Sequence, residues 1–193
     1  MTRILSYGAV LRNVVADGAD LSGADISASD LRAANFDHAR MGEANFEGSD
    51  LPGRSARYAS PTGAVLRHAD MSGIDARGAD LSEAQAADAT LDGANFTAVI
   101  LSGANVAGAS FRGTDLRFCD FSGADLSGAT FRGAKLTESN FGTALIDGGA
   151  GRPASDRRPA NLTGASLTKA ELTGTDLGAT NTTDTIGIDT DAS

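Results

Sequence analysis

The side chains best equipped for chemistry in this chain are few: His38 and His68, the single cysteine Cys119, and scattered carboxylates and arginines. A histidine pair could hold a metal ion, a cysteine beside a histidine could act as a nucleophile, and stacked aspartates could present an acidic face. Gly148, Gly149 and Gly151 make a glycine-rich run, but no Lys-Ser/Thr follows them, so they do not form a phosphate-binding loop. The charged groupings that remain are Asp30, Asp50 and Asp70, spaced by 20, and Arg152, Arg157 and Arg158, clustered within DGGAGRPASDRRPAN. Their chemistry is recognition of a surface and not the making of bonds.

What must position these groups is a period of five. Large apolar residues recur as Leu21, Ile26, Leu31, Phe36, Met41, Phe46 and Leu51, and again from Leu91 through Phe141. Between Leu11 and Ile146 only Ala16, Ala56, Pro61, Ala76 and Ala86 break the series. Two residues before each centre stands a small residue, and two after it glycine is common, as at Gly23, Gly48 and Gly73. On an α-helix five residues advance by about 500°, so successive centres would drift around the axis. In one long strand a step of five reverses the face each time. The period works only if the chain turns a corner once per pentapeptide, with the centre and the small residue both pointing inward and glycine at the corner.

Four such sides close a square coil of about 20 residues, and about eight coils stacked at roughly 4.8 Å make an all-β rod of some 40 Å. Residues 20 apart then stack: Phe111 over Phe131, Phe121 over Phe141, and Leu11, Leu31 and Leu51 in line. The same register stacks Asp30, Asp50 and Asp70, and it sends His38 and His68 to opposite sides of the square, where they cannot share a metal. Cys119 falls in a small inward slot, as a buried and inert thiol, whereas Phe118 replaces a corner glycine and is expected to be exposed. An interior filled by Leu, Phe and Ala leaves no cleft for catalysis, so the expectation is a protein that is not an enzyme and that needs no cofactor and no metal.

This A-[D/N]-[L/F]-x-G pattern resembles the pentapeptide-repeat family, from about Leu11 to Leu177. The resemblance implies a right-handed quadrilateral β-helix. It also implies, through members of the Qnr and MfpA type, mimicry of duplex DNA and binding of DNA gyrase or topoisomerase IV.

The expected organisation is one solenoid: regular coils over 11–146 with an irregular stretch at 52–63, an inserted loop at 147–160, a last coil at 161–177 and a polar tail at 178–193. The first irregularity leaves the phase unchanged, and Arg54, Arg57 and Tyr58 within it could form a contact. The second shifts the phase by one residue, because Ile146 and Leu162 are 16 apart. Net charge −9 argues against direct nucleic-acid or membrane binding, one cysteine fits a reducing compartment, and cytoplasm is the default location. The tail carries no amphipathic segment that would cap or dimerise the rod, so a homodimer or a higher assembly stays open. Two readings follow. One is a binder of a type II topoisomerase through Asp30, Asp50, Asp70 and the loop arginines Arg152, Arg157 and Arg158. The other is a structural piece of a larger assembly such as a virion or sheath.

Overall fold

The computed structural model describes residues 7–53, 55–145, 157–178 and 180–187, and among them there is no helix. The chain winds as a four-sided coil. The residue before each centre pairs in parallel with the residue 20 further on, as in Val10 with Asp30, Val15 with Asn35, Asp20 with Arg40 and Asp25 with Asn45, which are the four sides of one turn. Each pairing is short because the chain bends again within five residues. Leu11 donates its N–H to Asp30 O at 2.8 Å, and Asp30 donates back to Ala9 O at 2.9 Å. At each corner the N–H three residues after the centre returns to the centre's carbonyl, as from Ala24 to Leu21 O at 2.9 Å.

The corner residue takes a positive φ. Gly23 does so at 65°, which costs glycine little, but Asn13, His38, Asp88, Tyr58 and Phe118 hold the same conformation between 55° and 62° wherever they replace it. A left-handed non-glycine residue costs roughly 1 kcal/mol, so the repeat tolerates these substitutions one at a time through the rungs on either side.

The interior is a solid column of centres and alanines. Phe111 stacks on Phe131 with ring centroids 4.9 Å apart, Phe121 on Phe141 at 4.8 Å, and the two stacks meet edge-on. Four polar inward residues donate to the carbonyl of the centre in the coil below, Ser49 to Ile26 O, Thr114 to Leu91 O, Cys119 to Phe96 O and Ser139 to Leu116 O, while Ser29 donates to Ser27 O of its own coil. Such bonds let a hydroxyl or thiol sit in a dry core without an unmet hydrogen bond.

The stretch 52–63 stays in the coil, with Ser55 paired to Asn35 and Asp75, and Ser60 paired to Arg40. Pro61 fills a centre slot and, lacking an N–H, cannot donate to the next coil, while Asp80 still donates to Ala59 O at 2.9 Å. Small centres have a cost here. Ala56, Pro61 and Ala76 leave a cavity of about 40 Å³ bounded by Phe36, Phe46 and Leu66. At about 24 cal/mol per Å³ a void of this size is worth about 1 kcal/mol, so Ala76→Val should raise the denaturation midpoint by a corresponding amount in an equilibrium urea titration.

The second break is a β-hairpin. Strand β1, Thr143–Leu145, pairs antiparallel with β2, Arg157–Pro159, with Thr143 opposite Pro159. Beyond it the partner of Asp125 is Asn161, 36 residues on, so the separation of 20 has grown by 16 set-aside residues. The insertion thus opens with paired strands at 143–145, ahead of the 147–160 bounds read from the sequence.

The coil also runs past the expected end. Asn161 pairs with Asn181 and Ser166 with Ile186, so residues 181–186 form rungs where a polar tail was expected. Thr175, Thr180 and Thr185 occupy inward slots and donate to Leu136 O, Phe141 O and Leu162 O. The core therefore ends on hydroxyls that satisfy carbonyls. At the other end the first coil presents exposed Tyr7, Val10 and Val15.

Candidate interaction surface

The structure stacks Asp30, Asp50 and Asp70 on consecutive rungs of one side. It also shows what holds them. Asp30 accepts from Arg12 Nε at 2.5 Å and from Arg32 through Nε at 2.9 Å and Nη2 at 2.7 Å. Asp70 accepts the N–H and hydroxyl of Ser72 at 2.9 and 2.6 Å. Asp50 has Pro52 where its neighbours have Arg32 and Ser72, and Arg32 Nε lies 3.3 Å from its Oδ2. Burial, then the charges of Asp70 and Asp30, push the Asp50 carboxyl above the usual range.

The clasp is general. The carboxylate before a centre accepts the N–H two residues on, as Asp20 does from Ser22, Asp75 from Arg77 and Asp115 from Arg117. Aspartate at this position closes an Asx turn over the corner and satisfies an outward-facing N–H. Asp30 and Asp70 of the acidic ladder thus contribute to the turns, which offsets the repulsion between stacked carboxylates. The signal was in the sequence as Ser or Arg two residues after Asp.

The adjacent side carries a second charge pattern. Arg77 and Arg117 each grip their own aspartate with Nε and Nη2, to Asp75 and Asp115, at 2.6–2.9 Å. Arg57 reaches back one coil to Asp37, Nε at 3.0 Å and Nη2 at 2.5 Å. Along the neighbouring corner, Tyr58 stacks on His38 at 5.7 Å, and Tyr58 and Phe118 are exposed by 64% and 52%.

His38 Nδ1 lies 3.1 Å from Asp17 Oδ1, and His68 stands on a different corner, ten residues beyond Tyr58. Among the described residues no group of His, Cys, Asp and Glu could hold a metal ion. Cys119 is buried, its thiol pushed up to about 12 by desolvation, which leaves no thiolate at neutral pH. Of the loop arginines, Arg157 and Arg158 lie in β2, opposite Leu145 and Ala144, and Arg152 lies outside the described residues.

A filled square coil with a row of outward-facing side chains on every rung defines a repeat solenoid. The pentapeptide-repeat family model matches in eight copies, over residues 7–32, 29–53, 59–97, 79–117, 107–142 and 160–181, and the chain belongs to that family. Among solved structures it is similar to HetL, a pentapeptide repeat protein involved in heterocyst differentiation regulation from the cyanobacterium Nostoc sp. strain PCC 7120. The identity is 30% over 93% of this chain and 87% of that chain, with a TM-score of 0.39. A trypsin-treated form of QnrB1, a plasmid-mediated fluoroquinolone resistance protein, is 23% identical over 93% of this chain and 86% of that chain, with a TM-score of 0.50. Rfr23 from the cyanobacterium Cyanothece 51142 is 18% identical over 82% of this chain and 90% of that chain, with a TM-score of 0.24. Comparison with curated proteins finds no match. Proteins of this family form right-handed β-helices and are generally structural or binding proteins, and no catalytic family is indicated.

Proposed function

We propose that this right-handed solenoid is a non-enzymatic, cytoplasmic protein-binding module that engages a type II topoisomerase, DNA gyrase or topoisomerase IV, and competes there with DNA. The observation that carries this reading is that the hairpin β1–β2 is set aside from the coil register of an acidic chain and includes Arg157 and Arg158, with Arg152 in the sequence between its strands. Binding residues are often carried on loops that a scaffold positions, and basic residues on a chain of net charge −9 give this segment a directional contact. Asp50, the ladder carboxylate with no donor from the residue two places on, is the rung most open to a cationic groove. The fold shared with QnrB1 agrees with this reading.

The test is a gyrase supercoiling assay with a quinolone present. The full chain should restore supercoiling, and a chain in which residues 146–156 are replaced by a two-residue turn should lose at least about tenfold in potency while keeping its thermal midpoint. No effect of the full chain in large molar excess overturns the reading.

The exposed Tyr7, Val10 and Val15 of the first coil favour a second reading, a structural subunit that stacks through that end. It requires a mass above that of one chain in light scattering.

A further inference from the structure

Three exposed features are left outside that reading: Tyr58, Phe118 and the arginine column beside them. They belong to one straight corner. Tyr58 donates its N–H to Arg77 O, Gly78 to Thr97 O, Ala98 to Arg117 O and Phe118 to Thr137 O, so positions 58, 78, 98 and 118 climb the rod one rung at a time. The Tyr58 ring lies over Gly78, where an added Cβ would meet its Cδ1 at 2.7 Å. Ala98 is therefore the next rung, between that ring and Phe118. From position 58 to position 118 is three rungs, about 14 Å, close to four residues of an extended strand.

The folding economy of the corner does not explain these two rings. Non-glycine corners elsewhere are Asn, Asp, Glu, His, Lys or Ala, whereas Tyr58 and Phe118 place large aromatics at φ 55° and 62° and leave most of each ring in water. Each follows an arginine, Arg57 or Arg117, and Arg77 lies between these on the same column. All three guanidiniums are fixed through Nε and Nη2 by Asp37, Asp75 and Asp115, and their Nη1 groups engage no acceptor among the described residues. Tyr58 is held by its stack on His38 and the arginines by their aspartates, so little of their side-chain entropy remains to be lost, and aromatic and arginine side chains are the composition of an interface core.

We propose that the corner from Tyr58 to Phe118 docks an extended segment of a partner protein that sets one large apolar side chain over Ala98, between the two rings. Carboxylate or carbonyl oxygens flanking that side chain accept hydrogen bonds from Nη1 of Arg77 and Arg117. Donor placement, and not net charge, selects this occupant. A phosphate backbone meets no net positive charge here, since every arginine of the column is neutralised by its own aspartate, while a few acceptors find donors already aimed. A second copy would offer the same corner, whose Tyr58 ring lies flat over Gly78 and does not project. The surface is separate from the hairpin and from the Asp30 to Asp70 ladder, so its fate is independent of the topoisomerase reading.

The test is a two-dimensional amide NMR titration of the full chain with the blocked hexapeptide Asp-Glu-Leu-Phe-Glu-Asp. Shifts centred on Gly78, Thr97, Ala98 and Phe118, saturating in the millimolar range or below, are expected. The peptides Lys-Lys-Leu-Phe-Lys-Lys and Asp-Glu-Ser-Ser-Glu-Asp should give neither. Tyr58→Gly and Phe118→Gly each install the residue that the corner most easily accepts, so they keep the fold, and each should weaken the acidic peptide about tenfold. Arg77→Gln should weaken it as well. Absence of shifts at millimolar peptide, shifts scattered over the rod, equal binding of the basic peptide, or retained binding by both glycine variants overturns the proposal. So does broadening of the same signals with protein concentration alone, which would assign the corner to a second copy.

Discussion

Replacing Phe131 with alanine is expected to cost about 3–5 kcal/mol of folding stability. Phe131 is fully buried, stacks on Phe111 with parallel rings at 4.9 Å, and meets Phe121 edge-on at 6.2 Å. Truncation removes both ring contacts, and the void cannot close easily because the coils above and below are held at fixed rung spacing by backbone hydrogen bonds. The rungs nearest the substitution, Ser110 to Thr130 and Thr130 to Ser166, should lose amide protection first, because each coil of a solenoid touches only its neighbours. Urea titration with hydrogen exchange checks both statements. A loss below about 1 kcal/mol would mean that the interior relaxes as a loosely packed core does. Phe118→Gly is the matched control, an exposed phenylalanine whose removal relieves a positive φ and should change stability by less than about 1 kcal/mol.

These two phenylalanines show how much of the molecule could be read from its residues. A period of five is incompatible with a helix or a long strand, so the square coil, the Phe111 to Phe131 stack and the rung order of Asp30, Asp50 and Asp70 followed from spacing alone. Other features did not, because they depend on what a side chain finds on the next rung. Thr175, Thr180 and Thr185 look like a polar tail until their hydroxyls are seen to reach the carbonyls of Leu136, Phe141 and Leu162. Asp20 or Asp75 reads as free negative charge until the N–H two residues on closes onto it. The hairpin stem was hidden for another reason. Thr143–Leu145 continues the repeat spacing, and only the pairing with Arg157–Pro159 takes it out of the coil. The aromatic corner was half visible, with Tyr58 and Phe118 each noted singly, but their alignment with Gly78 and Ala98 needs the register to run unbroken through Pro52 and Pro61.

That unbroken register rests on Asp37, and Asp37→Ala is expected to cost about 2–4 kcal/mol at neutral pH. The carboxylate is buried on the coil beneath the irregular stretch and ties it down. Its Oδ1 accepts the Ser55 hydroxyl and the Arg57 N–H, and its Oδ2 accepts Arg57 Nε and Nη2. Asp92 repeats the device with Ser110 and Arg112, which shows its logic: where serine stands before the centre and is too short to take the N–H two residues on, an aspartate one coil below takes it instead. Burial alone would raise the Asp37 carboxyl, but the hydrogen bonds of Arg57 and Ser55 outweigh it and hold the group at about 2, below the ordinary 3.8. A depressed folded value makes the contribution complete above the ordinary carboxylate range and progressively lost as pH falls from there through about 2. Asp20, Asp75 and Asp115 are lowered too and act in the same direction, while Asp50, raised by burial and by Asp70 and Asp30, acts in the opposite one. The full chain should therefore lose stability in acid, and Asp37→Ala should lose less over the same interval because its largest acid-labile contact is already gone. Urea titrations at neutral pH and near the lower end of that interval measure the difference. Equal acid losses in the two proteins would show that the tie between Asp37 and Arg57 contributes nothing to stability, and that the coil crosses Pro52 and Pro61 on backbone hydrogen bonds alone.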